Sequence, residues 1–172
     1  MNFGRFLAVL GGIITFAGTW WLSLFLSPVI SGNPPVYSIG GISNFSFLVG
    51  NGGSILGVDN WVVYLLLVVY SFYLLSFIPQ LAGGKSRISA FIGSLLPLAV
   101  GVIIMIYSLT GGTTLVQVVN GIGLFAGDPI IVGWFPFQYS VVVQFEAIGT
   151  YAIIFGSLLA LISSFIPRPD DY

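Results

Sequence analysis

The sequence predicts an all-α membrane protein, built as a bundle of four transmembrane helices with two long outer loops. Only 5% of its 172 residues are charged and 57% are hydrophobic, whereas an ordinary soluble domain carries about 25% charged residues. Four apolar runs are long enough to cross a bilayer, and the basic residues all lie at one set of their ends. The apolar surface must therefore face lipid or other subunits.

Four stretches have the roughly 20 predominantly apolar residues that a spanning helix needs. We place the spans at residues 6–29, 61–82, 88–110 and 139–166. The first run follows Arg5 as a secretory signal core would, but it is about twice the length of such a core, so we interpret it as a retained span. We expect residues 1–172 to form a single membrane domain.

The basic residues predict the orientation of the spans, because Lys and Arg near span ends stay on the cytoplasmic side. Arg5 precedes the first span, and a tight turn at residues 83–87 joins the second span to the third. The other three basic residues are Lys85 and Arg87 in that turn and Arg168 after the last span. We therefore expect a multi-pass protein of the cell membrane with both termini in the cytoplasm.

The outer loops, residues 30–60 and 111–138, are longer than usual helix connections. Short β-branched and aromatic runs bounded by Gly, Asn and Pro, such as residues 44–49, are strand and hairpin signals, so a small extracellular β-ribbon is one expectation. A re-entrant segment at residues 116–125 is the alternative. Because the loops hold few charges, they are expected to bury each other or to be covered by another subunit.

Several aromatic and polar residues mark the membrane boundary. Trp61 and Trp134 lie where amphipathic rings anchor a span at the outer interface. Trp20 and Trp21 lie deeper in the first span and are expected to pack on neighbouring helices, with indole N–H groups that need acceptors. Asn44 begins an Asn-Phe-Ser triplet that matches the glycosylation acceptor pattern.

Small residues recur at four-residue spacing and predict close helix packing. The residues singled out for helix contacts are Gly12, Gly93, Pro97, Gly101 and Gly156. Pro97 is also expected to kink its helix, because proline lacks the N–H and clashes with the preceding turn.

The sequence also contains a short internal repeat. The tetrapeptide Ser-Phe-Ile-Pro occurs at residues 76–79 and again at residues 164–167, near the inner end of the second and the fourth span. Two helical hairpins related by an axis along the membrane normal are one interpretation. Proline is common just after helix ends, which is the alternative.

Glu146 is the only acidic or basic side chain inside a predicted span, and intramembrane carboxylates are functional candidates. It could serve as a proton or cation site, or it could pair with Gln144 or with a partner's Arg to fasten helices together. The second interpretation is favoured because no base or cation accompanies the carboxylate. Asp59 precedes the second span at a helix N-cap position.

The chain has neither Cys nor His, which removes the usual ligands of zinc, copper, iron–sulfur clusters and haem. We therefore expect no metal site and no cofactor in this chain. No catalytic set is visible, so an enzyme is not expected. The net charge of −1 does not indicate the basic surface that nucleic-acid-binding proteins have.

The favoured function is a non-catalytic structural or accessory subunit of a multi-subunit membrane complex. A respiratory or other redox complex whose cofactors lie on partner subunits is one example. A self-associating adhesion or barrier protein is the first alternative, since four spans with cytoplasmic termini and a structured outer part resemble the claudin topology, although the paired loop cysteines usual there are absent. A small channel or transporter that uses Glu146 is the second alternative.

Overall fold

The computed structural model describes residues 2–26, 35–38, 42, 45–56, 59–110 and 148–167. Within these ranges the chain is mostly helical. The helices are α1 (Phe3–Trp20), α2 (Phe45–Leu56), α3 (Asn60–Leu75), α4 (Phe77–Ala82), α5 (Arg87–Thr110) and α6 (Ile148–Phe165), and the strands are β1 (Ser23–Leu26) and β2 (Pro35–Tyr37).

Three of these helices, α1, α5 and α6, are long and apolar enough to cross a membrane, while α3 is apolar but shorter. The predicted four-span bundle is therefore not confirmed among the described residues. The second predicted span, 61–82, is divided at Ser76 into α3 and α4. Pro79 accounts for the break, because its ring lacks an N–H and clashes with the carbonyl one turn earlier.

The first predicted span, 6–29, also differs from the structure. Helix α1 ends at Trp20, where the backbone N–H groups of Trp21 and Leu22 both donate to the carbonyl of Ala17. The chain then continues as β1, which pairs antiparallel with β2. Hydropathy does not separate a helix from a buried strand in a short apolar run, which is why the change was not predicted.

The first outer loop contains a helix that the sequence did not predict. Residues 44–49 were interpreted as a strand, but Phe45 begins α2, which continues through three glycines to Leu56. The strand prediction at this position is wrong, because packing against α3 overrides the weak local preference. The predicted extracellular ribbon is not confirmed, since β1 comes from the predicted first span and only β2 from the loop.

The core forms where α1 packs along α6, with α5 on α6 and α4 between α1 and α5. Helices α1 and α6 are antiparallel, because Gly4 lies beside Ile166 and Gly18 lies beside Ile153. Helix α3 packs mainly against α2 and makes little contact with α1 or α5. The second Ser-Phe-Ile-Pro copy ends α6, whereas in the first copy Ser76 follows α3 and the other three residues begin α4.

Candidate functional site

The polar side chains of the core join neighbouring elements at backbone carbonyls. At the C-terminal end of α1, Trp20 Nε1 donates to the carbonyl of Leu74 across 2.9 Å. The last carbonyls of a helix lack intrahelical donors, and Leu74 lies in the last turn of α3. The indole therefore ties α1 to the break between α3 and α4.

A second tie lies between α4 and α5. Gln80 is fully buried, and its Nε2 donates to the carbonyl of Gly93 across 2.9 Å. Pro97 lies four residues after Gly93 and has no N–H to donate to this carbonyl. One turn before Gly93 in α5, Ser89 Oγ donates to the carbonyl of Pro79 across 2.9 Å. Both contacts hold the α4–α5 hairpin closed.

A buried polar cluster joins the end of β2 to α3. The hydroxyls of Ser38 and Tyr73 lie 2.8 Å apart, and the hydroxyl of Tyr70 donates to the backbone carbonyl of Ser38. All three residues are buried. The ring of Phe45, at the start of α2, faces the ring of Tyr70 with centroids 5.9 Å apart. The cluster thus attaches β2 and α2 to one side of α3.

Three buried oxygen atoms have no hydrogen-bond partner among the described residues. They are Thr15 Oγ1 on α1, Ser157 Oγ on α6 and Gln80 Oε1 on α4. By contrast, Thr150 Oγ1 on α6 donates to the carbonyl of Leu24 in β1 across 2.7 Å. Unpartnered groups of this kind lower stability, so Thr15 and Thr150 are expected to differ in what their hydroxyls contribute.

The five residues singled out for helix packing are all buried. A Cβ added at Gly12 would lie 2.9 Å from Leu81 of α4, and one at Gly93 would lie 2.8 Å from the backbone nitrogen of Gln80. A Cβ at Gly101 would lie 2.5 Å from Ile154 of α6. Pro97 lies inside α5.

Gly156 belongs to a more extensive seam between α1 and α6. A Cβ added at Gly156 would lie 2.7 Å from the carbonyl oxygen of Gly11, and one at Gly11 would lie 2.5 Å from the carbonyl oxygen of Gly156. Further along the same seam, a Cβ at Gly18 would lie 3.0 Å from the carbonyl oxygen of Gly149. The two backbones are therefore in direct contact.

Sequence reasoning missed the full extent of this seam, although the signal was present. Glycines occur every seven residues on α1, at positions 4, 11 and 18, and small residues do so on α6, at positions 149, 156 and 163. A seven-residue repeat keeps one face of a helix toward the same neighbour. The role of Gln80 in joining α4 to α5 was also not predicted. The sequence feature that could have indicated it is a polar residue directly after Pro79 in an apolar run.

Helix α3 exposes a large apolar face. Trp61, at its start, is 63% exposed, and Phe72, near its end, is 67% exposed. Further exposed apolar side chains lie between them, at Tyr64, Leu65, Val68 and Val69. Faces of this kind mark contacts with lipid or with another protein.

The charged residues of the described part of the chain fall in two places. Gly84, in the turn that contains Lys85, contacts Val9 of α1, and Arg5 lies one turn before Val9. Arg5, Lys85 and Arg87 are thus grouped at one end. Asp59 lies at the start of α3, where its carbonyl accepts from Val62 but its side chain makes no capping bond.

Glu146, Gln144, Trp134 and Asn44 lie outside the described residues, as do the predicted re-entrant segment 116–125 and Arg168. Among the residues that the structure describes, no group of three or more His, Cys, Asp or Glu side chains could hold a metal ion. No known protein family, characterised protein or solved structure matches the chain.

Proposed function

We propose that the chain is a non-catalytic structural or accessory subunit of a multi-subunit integral membrane complex. One observation supports this most strongly. Four side chains, those of Trp20, Gln80, Ser89 and Thr150, donate hydrogen bonds to backbone carbonyls of a neighbouring helix or strand. Polar groups used in this way fasten helices together, and they are not arranged around a substrate.

Four spans hold the subunit in the cell membrane in this proposal. The second span consists of α3 and α4 together, from Asn60 to Ala82, with Ser76 between them. Both termini and the α4–α5 turn lie in the cytoplasm. The grouping of Arg5, Lys85 and Arg87 at one end supports this orientation, because basic residues collect on the cytoplasmic side.

The exposed face of α3 is where a partner subunit binds in this proposal. Helix α3 packs little against α1 or α5, and it presents Trp61 and Phe72 outward. Aromatic side chains are enriched at the energetic centres of protein interfaces. Since this chain has no Cys or His, cofactors of a respiratory or other redox complex would lie on the partner.

The test is purification of the tagged chain from its native membranes in a mild detergent, followed by native gels and mass spectrometry. We expect a defined heteromeric complex. Phe72→Ala should weaken its recovery, while Phe155→Ala, which removes another exposed aromatic ring from α6, should not. A dispersed, stable monomer would contradict the proposal.

Two other outcomes would favour the other functional classes. An assembly made only of copies of this chain would favour a self-associating barrier protein. Ion or proton flux in liposomes that is lost on Glu146→Gln would favour a channel or transporter.

A further inference from the structure

Helix α2 runs antiparallel alongside α3. At the start of α2, the ring of Phe45 faces the ring of Tyr70, with centroids 5.9 Å apart. Seven residues later, a Cβ on Gly52 would lie 2.7 Å from Cγ1 of Val63. As the chain proceeds along α2, it therefore moves from the middle of α3 toward the end that carries Asp59.

The depth of these contacts follows from the charges that flank α3 and α4. No charged residue lies between Asp59 and Lys85. The 16 residues of α3, the 6 residues of α4 and Ser76 between them would extend about 34 Å at 1.5 Å per residue. This is close to the roughly 30 Å of the hydrocarbon core. Asp59 and Lys85 therefore fit at opposite faces of the membrane.

On this scale Tyr70 lies about 15 Å below the start of α3 and Val63 about 5 Å below it. Phe45 then begins near the middle of the bilayer, and Gly52 lies close to the membrane face. Ser38 is also deep, because it is hydrogen-bonded to both Tyr70 and Tyr73. A loop that only covered the outside of the protein would not reach these residues.

The described parts of this segment, residues 35–38 and 45–56, suit the interior of a membrane, where unpaired polar groups are costly. Strand β2 is paired with β1, α2 makes its own helical hydrogen bonds, and Ser38 is buried. No charged residue occurs between residues 35 and 56.

We propose that β2, Ser38 and α2 form a re-entrant element, placed in the half of the membrane that contains the Asp59 end. The outward side chains Phe47 and Val49 contact lipid acyl chains at the depth of the exposed Val68 on α3. The described residues 35–38 and 45–56 of the first long loop are thus a membrane-embedded part of the bundle. This inference concerns depth and does not depend on the proposed subunit function.

The test uses the absence of cysteine in the chain, which allows labelling at one introduced cysteine. Phe47→Cys, Val49→Cys, Ser54→Cys and Val68→Cys would each carry a nitroxide in the full chain, reconstituted in phosphatidylcholine vesicles. Collision with oxygen, which enters the bilayer, and with a water-soluble nickel chelate gives the depth of each label. A native far-UV spectrum of each variant is the folding control.

We expect the labels at 47 and 68 to favour oxygen strongly and to agree in depth within one helical turn, about 5 Å. The label at 54 should lie about 10 Å closer to water than that at 47, and 49 should lie between them. Nickel access at 47 and 49 equal to that at 54 would overturn the proposal. Nickel access at 68 would also overturn it, because it would place α3 outside the bilayer. The same holds if neither reagent reaches the labels at 47 and 49, because those side chains would then not contact lipid.

Discussion

Gln80 Nε2 lies 2.9 Å from the carbonyl oxygen of Gly93, which is the carbonyl in α5 that Pro97 leaves without a helical donor. Proline kinks in membrane helices persist where neighbouring groups satisfy the freed backbone. Here the neighbour is a side chain of α4, brought close because Gly93 has no Cβ to separate the two helices. The proline site in α5 and the α4–α5 hairpin therefore depend on each other.

Replacing Gln80→Met keeps the size of the side chain and removes its amide. We expect the free energy of unfolding to fall by about 0.6 kcal/mol, the average for hydrogen bonds between membrane helices. The loss stays small because the change also removes the unpartnered Oε1. Unfolding of the purified chain in mixed detergent and dodecyl sulfate would measure it.

The matched control is the same replacement in a Pro97→Ala background. Alanine restores the N–H that can donate to Gly93, so Gln80→Met should cost less there than in the native chain. A double-mutant cycle isolates this difference. An equal loss in the two backgrounds would show that Gln80 does not compensate for Pro97.

The close contact between α1 and α6 predicts that adding a single methyl group there lowers stability substantially. In Gly11→Ala the new methyl group would lie 2.5 Å from the carbonyl oxygen of Gly156 and 2.8 Å from the backbone nitrogen of Ala160. Neither backbone atom can move aside alone, so the helices must separate. We expect a loss of about 1–3 kcal/mol in the free energy of unfolding, as for other overpacked cores.

Gly50→Ala in α2 is the control for this replacement, because nothing lies within 4 Å of the added Cβ. There alanine should leave stability unchanged or raise it by up to about 1 kcal/mol, through its better helix propensity. If Gly11→Ala were as well tolerated as Gly50→Ala, the close contact between α1 and α6 would not exist.

Sequence patterns predicted the parts of this fold that depend on composition. Long uncharged runs gave the positions of α5 and of most of α1 and α6, since a spanning helix needs little more than length and hydropathy. The glycines at 12, 93, 101 and 156 lie against neighbouring helices, because four-residue spacing of small residues allows such approach. These features are local to one segment of chain.

The features that were not predicted depend on contacts between distant segments. The end of α1 at Trp20 reflects the pairing of β1 with β2 and the indole bond to Leu74. Helix α2 forms although the run of Phe, Leu and Val at residues 45–49 favours a strand, because it lies against α3. Whether an apolar run becomes helix or strand is decided by such tertiary contacts.

The two buried threonines at positions 15 and 150 should respond differently to the loss of a hydroxyl. Thr15 Oγ1 has no partner among the described residues, so Thr15→Val, which keeps the shape, should leave stability unchanged or raise it. Thr150 Oγ1 donates to the carbonyl of Leu24, so Thr150→Val should lower stability by about 0.6 kcal/mol.

The thermal stabilities of the two variants can be compared by heating each and measuring the loss of the monodisperse species on size-exclusion chromatography. A loss for Thr15→Val as large as that for Thr150→Val would indicate that a water molecule or another group bonds to Thr15 and that its hydroxyl is not an unpaired one.

The contact of Tyr73 with Ser38 predicts a local effect of losing one hydroxyl group. Tyr73→Phe removes the hydroxyl that lies 2.8 Å from Ser38 Oγ and leaves that serine without this partner, while Tyr70 still bonds the Ser38 carbonyl. Because α2 is attached to α3 at the same place, the backbone amides of α2 should exchange with solvent deuterium about threefold faster, which corresponds to about 0.6 kcal/mol.

Tyr64→Phe is the control, since Tyr64 is on the same helix but is exposed. It should leave α2 exchange unchanged, and equal acceleration by both replacements would show that the Ser38 contact does not hold α2 in place.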